Sequence, residues 1–199
     1  MTAARRPRTR LSPEARRTQL LDTAKVMVIA DGLAAFTMEG LARQANVSAP
    51  LIYKYFTGRS ELLQALLKRE YRHFVETTTE ALRETRSFEE IVRISVTSNF
   101  DHHAPGNILP LLLSQAELAA AIESEQRSVR RSNARFLVRA AADYYELDLR
   151  QAQLAVSMSS GASIAAAELA ASARLSRADA IEFAVAYILA GVERAARAR

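Results

Sequence analysis

The stretch ANVSAPLIYKYFTGRSELL, residues 45–63, interleaves apolar side chains with hydroxyl and basic ones. Lys54 and Arg59 supply charged donors of the kind that bind phosphate, and Tyr53 and Tyr55 add aromatic hydroxyls. Two interpretations fit this pattern. The segment is either a short core helix with a polar edge, or a helix with one buried face and one face built to meet a polyanion.

Basic residues are concentrated in the first third of the chain. Residues 1–72 hold thirteen Lys or Arg against six Asp or Glu, whereas the remaining residues hold fourteen against sixteen. A basic segment joined to a mildly acidic body is typical of a nucleic-acid-binding module attached to a second part. A run of charge is also typical of an ordinary solvated surface, so charge alone does not choose between the two interpretations.

Side chains suited to catalysis or metal binding are sparse. The chain has no cysteine and three histidines, and it contains no Walker loop, no GxGxxG after a strand and no GxSxG motif. Glu70 and His73 have the spacing of a di-iron ligand pair, but no second copy of that pattern accompanies them. His102 and His103 are interpreted as loop surface. We therefore expect no enzymatic activity, no metal and no cofactor.

The composition favours an all-α protein. Only six Gly and five Pro occur in 199 residues, and these are the residues that interrupt helices. The zero cysteine count excludes a disulfide framework and fits a reducing compartment. The N-terminal residues lack the apolar run of a signal peptide, and no run of about 18 uninterrupted apolar residues is present to span a membrane. We expect a soluble, cytoplasmic protein.

Helical periodicity and capping signals predict about nine helices, the first three forming a small N-terminal unit. Ser12-Pro13-Glu14 starts the first helix and Asp31-Gly32 stops it. Thr37 caps the second helix, and Ser87-x-x-Glu90 is a capping box. The predicted helices span residues 13–31, 38–45, 49–56, 60–84, 88–101, 108–119, 122–146, 149–173 and 177–198.

Residues 38–56 fit a helix-turn-helix. Asn46 lies at the corner, where the chain needs a positive φ that Asn tolerates, and Ser48 is placed to cap the following helix. The inner faces carry Leu41, Ala42, Ala45, Val47, Ile52 and Phe56. The outer face of the second helix, placed to enter a major groove, carries Ala49, Pro50, Leu51, Tyr53, Lys54 and Tyr55.

The arrangement FTMEGLARQANVSAPLIYKYFTGRSELL, following ADGLAA, resembles the TetR family of bacterial transcriptional regulators. The resemblance covers about residues 12–72, and beyond them only the length and the number of helices are similar. It implies a homodimer whose N-terminal domain binds DNA and whose C-terminal domain binds a small molecule that releases the protein from its operator. We expect a repressor that binds a palindromic operator and is released by a small-molecule inducer, while the sequence leaves repression versus activation open. The domains expected are a flexible basic arm over 1–11, a helix-turn-helix DNA-binding domain over 12–58 with its motif near 37–56, and a helical ligand-binding and dimerisation domain over 59–199.

The resemblance also assigns roles to single residues. Thr37 matches a threonine whose hydroxyl and amide face a phosphate, and Tyr53 matches the tyrosine of the recognition helix. Tyr55 stands where a histidine or another aromatic residue is usual. Arg59 stands where the family most often has lysine, and it is therefore expected to donate to a phosphate.

The sequence departs from the family pattern at two places. Asn46 replaces the usual turn glycine. Ala49 and Leu51 are apolar at positions often used for base recognition, so we expect readout to use thymine methyl groups, Tyr53, Lys54 and DNA shape. The arm has two open interpretations, minor-groove contacts or non-specific phosphate contacts, made by Arg5, Arg6, Arg8 and Arg10.

The last two predicted helices have the composition of an interface. The segment 149–173 is rich in small side chains, and apolar residues in the last helix follow a four-three-four spacing, as in a coiled coil. The alternative is that both helices pack inside the subunit. The predicted four-helix dimer interface uses Ser157, Gly161, Ala165, Ile181, Val185, Ile188 and Val192.

A ligand pocket is expected among the helices spanning residues 60–146. The low aromatic content predicts a largely apolar ligand, and for each candidate residue ordinary core or surface packing is the alternative. The candidates are Phe74, Asn99, Phe100, His103, Gln115, Phe136 and Tyr144, with His102 and Tyr145 beside them.

The functional prediction is a ligand-responsive, DNA-binding transcriptional regulator that acts without membrane contact. The alternative is a helical small-molecule-binding or carrier protein without specific DNA binding, whose basic face meets another acidic partner.

Overall fold

The computed structural model describes residues 11–104, 106–173 and 175–198. Within these ranges the chain forms α-helices and no strand, which confirms the prediction of an all-α fold. The helices are α1 (Pro13–Ala35), α2 (Met38–Gln44), α3 (Ala49–Tyr53), α4 (Arg59–Arg83), α5 (Phe88–His103), α6 (Ile108–Leu113), α7 (Ala116–Ala120), α8 (Glu123–Tyr145), α9 (Leu149–Ala173) and α10 (Arg177–Arg197).

The described residues form ten helices where about nine were predicted, because the segment 108–119 divides in two. Gln115 has extended backbone angles, φ −92° and ψ 113°, so the helical hydrogen bonds cannot run through it. The third helix is also shorter than predicted. It ends at Tyr53, which leaves Tyr55 just beyond the helix.

The chain divides into two compact units, with the boundary between Leu67 and Lys68, inside α4. The predicted boundary stood before this helix, between residues 58 and 59. The first turns of α4 belong to the N-terminal unit because their leucines are at most 1% exposed: Leu62, Leu63, Leu66 and Leu67.

The start and the end of α1 follow the predicted signals. The Ser12 hydroxyl accepts a hydrogen bond from the Ala15 amide at 3.2 Å, and Pro13 occupies the first turn. Gly32 leaves helical geometry with φ 79°, a left-handed conformation that glycine adopts without a steric penalty. The helical path therefore breaks where Asp31-Gly32 was predicted to stop it.

The corner between α2 and α3 has the predicted backbone. Asn46 has φ 53°, as the sequence pattern required. The Val47 amide donates to the Ala42 carbonyl at 3.0 Å, and Gln19 of α1 donates its side-chain amide to the Ala45 carbonyl at 3.4 Å. The first bond closes the turn, and the second attaches it to α1.

In the C-terminal unit, α5, α8, α9 and α10 pack around one apolar core. Asn99 of α5 donates its side-chain amide to the Ser163 hydroxyl of α9 at 3.0 Å. Ion pairs join α5 to α10, Arg93 to Glu182 and Asp101 to Arg177. The Ser87 cap of α5 is confirmed, since its hydroxyl accepts from the Glu90 amide at 3.2 Å. The Glu90 carboxylate accepts from the amide of Arg86, one residue before the cap, at 2.6 Å.

Two histidines lie at the end of α5 rather than in a loop. The His102 ring is half-buried, with its centroid 6.1 Å from that of Phe74. Burial lowers the pKa of His102 below its usual value, and the positive charges of His103 and Arg130 lower it further. The neighbouring His103 places Nδ1 2.9 Å from the Asn99 backbone oxygen and Nε2 3.7 Å from a Glu168 carboxylate oxygen.

The two faces of α3 give a first prediction about stability. Ile52 is fully buried, so Ile52→Ala leaves a cavity and should lower the free energy of unfolding by about 2–5 kcal/mol. Tyr53, the next residue, is 49% exposed, and Tyr53→Ala should change that free energy by less than about 0.5 kcal/mol. Urea denaturation measures both values. Equal losses in the free energy of unfolding for the two variants would show that α3 does not bury the side of the helix that carries Ile52.

A second prediction concerns the pH dependence of stability. Because the folded pKa of His102 is lowered, the unfolded chain takes up a proton at higher pH than the folded chain does. Stability should therefore fall as the pH drops below the usual pKa of 6.5 toward the folded value. His102→Gln should reduce the difference in melting temperature between about pH 7.5 and about pH 5.5. The exposed His73, changed to Gln, serves as the control and should leave that difference intact.

Candidate functional site

The helix α3 separates its side chains into a buried and an exposed set. Ile52 is fully buried and Phe56, just past the helix, is 1% exposed. Between them along the chain, Tyr53 and Lys54 are exposed. Tyr53 and Lys54 therefore project away from the core of the N-terminal unit.

Fewer residues of the predicted outer face of α3 are fully exposed than expected. Pro50 is exposed, but Ala49, Leu51 and Tyr55 are only partly exposed. Ser48 makes no capping hydrogen bond with its side chain, so its predicted capping role is wrong. The reason is local: Pro50 has no amide hydrogen, and the Leu51 amide donates to the Ser48 backbone carbonyl at 3.0 Å. The Ser48 side chain remains exposed at the start of the helix.

Thr37 begins α2 as predicted. Its hydroxyl accepts a hydrogen bond from the Gly40 amide at 3.0 Å, and the residue is exposed. A Cβ on Gly40 would lie 2.9 Å from the Thr37 hydroxyl oxygen and 3.2 Å from the tip of Met27. The glycine thus permits the close cap, a role that sequence reasoning missed. Its only signal was a glycine three residues after a capping threonine.

Arg59 forms hydrogen bonds within the N-terminal unit. Its Nε donates to the Phe36 carbonyl at 3.1 Å, and one terminal nitrogen donates to the Leu33 carbonyl at 2.6 Å. These bonds tie the start of α4 to the chain between α1 and α2. A guanidinium has five N–H donors, so the predicted phosphate contact of Arg59 would use those that remain.

The connection from α3 to α4 is fixed by a second set of contacts. The Glu61 carboxylate accepts from the Thr57 amide at 2.6 Å and from its hydroxyl at 2.7 Å. The Thr57 hydroxyl, and then its amide, lower the pKa of Glu61. On the other side, the Arg17 guanidinium lies 5.0 Å from the centroid of the Phe56 ring, a cation–π contact.

The residues of the predicted arm, Arg5, Arg6, Arg8 and Arg10, lie outside the described residues, and their roles stay predictions. Among the residues that are described, no group of three or more His, Asp or Glu side chains is placed to hold a metal ion. Glu70, which had the spacing of a metal ligand, instead forms an ion pair with Arg69 at 2.8 Å.

A cavity of about 60 Å³ lies within the C-terminal unit between α5, α8, α9 and α10. Of the seven predicted pocket residues, Asn99 lines it. Its wall is formed by Phe88, Ile91, Val92, Ser95, Val96, Asn99, Leu137, Ala141, Ala155, Val156, Ser159, Ser160, Ser163, Ile188 and Val192.

The other predicted pocket residues do not line this cavity. Phe100 is buried in the core, Phe74 and His103 are half-buried elsewhere, and Gln115 is exposed. Phe136 directly precedes the lining residue Leu137, but one helical step rotates a side chain by about 100°, which leaves Phe136 at the surface. Tyr144 lines a separate open groove and stacks on Phe88, with ring centroids 5.3 Å apart.

The predicted interface residues of α10 lie inside their own unit. Ile181, Val185, Ile188 and Val192 are at most 7% exposed, so their assignment to a dimer seam is wrong and the alternative of internal packing is correct for them. An apolar stripe at this spacing has the same pattern whether it faces its own core or a partner. The residues predicted on α9, Ser157, Gly161 and Ala165, are exposed, and their role stays a prediction.

The surface of α9 and α10 carries large apolar side chains. One helix, residues 149–172, is long and apolar enough by composition to cross a membrane, and only 11% of that window is buried within the chain. A helix in the core of a soluble protein would instead be mostly buried. The side chains more than half exposed on the two helices are Leu149, Leu154, Met158, Leu169, Phe183 and Tyr187.

The chain resembles regulators of transcription in sequence. The family model described as bacterial regulatory proteins, tetR family, matches residues 20–66. The HTH-type transcriptional activator FasR of Mycolicibacterium smegmatis is 35% identical over 92 residues, which span 46% of this chain and 42% of that protein. The aligned segments span about half or less of the curated relatives' length. These relatives are named as regulators, in agreement with the expectation that the chain is not an enzyme.

Solved structures share the whole fold. A TetR-like transcriptional regulator from Rhodococcus sp. RHA1 superposes with a TM-score of 0.65 and 25% identity, covering 92% of this chain and 98% of that one. FadR from Bacillus subtilis, solved in complex with stearoyl-CoA, gives a TM-score of 0.60 with 20% identity, covering 86% and 95%. At 20% identity, the similarity to FadR shows only that the two proteins share a fold. Residues 20–66 therefore match the TetR family of bacterial regulatory proteins, and the chain is similar in fold to TetR-like transcriptional regulators.

Proposed function

We propose that the protein is a DNA-binding transcriptional regulator, a homodimeric repressor that binds a palindromic operator and is released by a small-molecule inducer. The observation that carries this proposal is the geometry of α3. Ile52 and Phe56 are buried while Tyr53 and Lys54, the neighbours of Ile52 along the chain, project outward. The exposed tyrosine and lysine give the surface of α3 an aromatic hydroxyl and a cationic donor of the kinds that contact bases and phosphates.

The chemistry of the exposed residues suits a duplex. Lys54 supplies a point charge for phosphate, and Thr37 is an exposed hydroxyl residue at the start of α2. Tyr53 adds an aromatic face and a hydroxyl. The methyl groups of Ala49 and Leu51 suit thymine, so we expect sequence readout to combine apolar contacts with DNA shape.

Affinity for DNA should depend on Lys54 in a way that salt reveals. Lys54→Ala should weaken binding to the DNA upstream of the gene and reduce the slope of log K against log salt by about 1, because one phosphate contact is lost. Fluorescence anisotropy over a salt series measures both quantities. Arg150→Ala, an exposed basic residue of the C-terminal unit, is the matched control. Unchanged affinity and slope in Lys54→Ala would show that α3 does not face the duplex.

The homodimer is proposed from the exposed apolar surface of α9 and α10. Phe183 and Tyr187 are 73% and 63% exposed and stack with ring centroids 6.4 Å apart. On α9, Leu154 and Met158 are exposed to a similar extent, with Gly161 one turn beyond them. Large apolar side chains that are exposed on neighbouring helices favour an interaction site here. A second copy is the occupant because palindromic operators need two-fold symmetry in the protein.

The dimer surface can be tested by charge. The double variant Met158→Glu/Phe183→Glu places like charges within an apolar interface, and we expect it to be monomeric by light scattering at micromolar concentration. Val26→Glu, at an apolar residue of the N-terminal unit that is 60% exposed, should remain dimeric. A dimer that persists in the double variant would place the interface elsewhere.

The inducer is proposed to bind the cavity between α5, α8, α9 and α10. The same α9 and α10 carry the exposed apolar side chains, so a ligand that spreads these helices changes the surface offered to the second subunit. The fold neighbour FadR holds stearoyl-CoA, which supports a ligand-binding role for this part of the chain. Such a regulator acts where the chromosome is, so we assign it to the cytoplasm.

The second candidate function is a small-molecule carrier without specific DNA binding. The observation that favours it is that the cavity lies wholly within the C-terminal unit. Loss of DNA binding at moderate salt, with ligand binding retained, would support the carrier. The direction of regulation is a separate question, since FasR is named as an activator. Transcription in vitro from the bound promoter distinguishes repression from activation.

A further inference from the structure

The cavity of the C-terminal unit has one polar and one apolar end. On α5 the lining residues are Phe88, Ile91, Val92, Ser95, Val96 and Asn99, so the two polar residues lie in the second half of the series. On α9 the order is the same, with Ala155 and Val156 followed by Ser159, Ser160 and Ser163. The hydrogen bond from Asn99 to Ser163, at 3.0 Å, joins the two polar sets. The polar groups therefore meet at one end.

The polar end offers hydrogen bonds without charge. The Ser163 hydroxyl is 2% exposed, and Asn99 is partly buried beside it. Every residue that lines the cavity is uncharged. An ionised carboxylate or phosphate would lose its water there without gaining a counter-charge, which costs far more than burying a neutral amide or hydroxyl.

The apolar end is lined by side chains from three helices. Val192 and Ile188 of α10 and Leu137 and Ala141 of α8 face Phe88 and its neighbours on α5. The volume of about 60 Å³ is several times the roughly 10–15 Å³ that one water molecule requires by the same measure. The space accommodates a ligand of a few heavy atoms, far short of a long acyl chain.

Resting on the proposed function, we infer that the inducer is a small uncharged amphiphile, a neutral amide, alcohol, ketone or ester. Its hydrogen-bonding group binds between Asn99 and the α9 hydroxyls, and its short apolar part lies against Phe88, Val92 and Val192. This separates the chain from FadR, which holds an acyl-CoA.

A competing arrangement places an anionic group outside the cavity. Phe88 and Ile91 line both the cavity and an open surface groove of about 440 Å³. That groove also carries Arg86 and Asp143. An acyl-CoA could rest its phosphates near Arg86 and insert its chain past Phe88, but the chain would then bring alkyl groups against Asn99 and the serines. The two arrangements differ in which ligand charge they accept.

The test compares ligands that match in size and differ in charge. Butanamide and butanoate have six heavy atoms each, and butanoyl-CoA adds the anionic carrier. Saturation-transfer NMR titrations of the full chain at about pH 7.5, without DNA, give the dissociation constants. We expect butanamide to bind at least about tenfold more tightly than butanoate. Butanoate or butanoyl-CoA binding as tightly as butanamide, or no binding by butanamide, overturns the inference.

Variants locate the binding site. Asn99→Leu keeps the size of the side chain and removes its amide, so butanamide should bind about three- to tenfold more weakly. Because this change also unpairs the buried Ser163 hydroxyl, Ser159→Ala/Ser160→Ala provides a second variant that spares the Asn99–Ser163 bond and should weaken butanamide binding similarly. Gln153→Ala, exposed on α9, should have no effect. Unchanged affinity in both cavity variants would place the ligand elsewhere.

Failure of this inference is distinguishable from failure of the proposed function. The titrations contain no DNA, so they test the ligand class alone. If butanoyl-CoA rather than butanamide binds and releases the protein from its DNA, the regulator stands and the neutral ligand class is wrong. If butanamide binds as expected and the protein binds no DNA, the ligand class stands and the regulator is wrong.

Discussion

The exposed face of α3 depends on the burial of Ile52 and Phe56. A helix of five residues is far too short to be stable on its own, because helix nucleation costs more than so few hydrogen bonds return. Its direction is therefore set by these two side chains in the core and by the left-handed Asn46 that turns the chain into it. After α3, Arg59 donates to backbone carbonyls near the end of α1, and Glu61 accepts from the backbone amide of Thr57. The positions of Tyr53 and Lys54 are thus fixed by contacts within the protein.

In the C-terminal unit, the same two helices face a cavity on one side and carry exposed apolar groups on the other. On α10, Ile188 and Val192 line the cavity while Phe183 and Tyr187 point outward. On α9, Ser160 and Ser163 line it while Leu154 and Met158 are exposed. A molecule in the cavity would contact helices whose other face carries exposed apolar side chains. This two-sided arrangement is the physical basis that we propose for ligand response, with differential binding to two packings of the helices as its energy source.

Local signals in the sequence predicted the elements well. Caps such as Ser12 and Ser87, the stop at Gly32 and the positive φ of Asn46 are set by chemistry within a few residues, and the structure confirms each. Predictions that depended on distant partners did worse. The spacing of Ile181, Val185, Ile188 and Val192 shows that one face of α10 is apolar, but not whether that face meets its own core or another chain. Likewise, choosing pocket residues by type favoured aromatics such as Phe136, whereas serines on α9 form the wall because of how α9 packs against α5.

The most direct test of the central claim, that two copies of α3 read a symmetric site, is selection of bound sequences from a random DNA pool by the full chain. We expect enrichment of an inverted repeat whose half-site centres lie one helical turn, about 34–36 Å, or a multiple of it apart. Enrichment of a single asymmetric site, or of no sequence at moderate salt, would show that α3 does not read DNA as a symmetric pair.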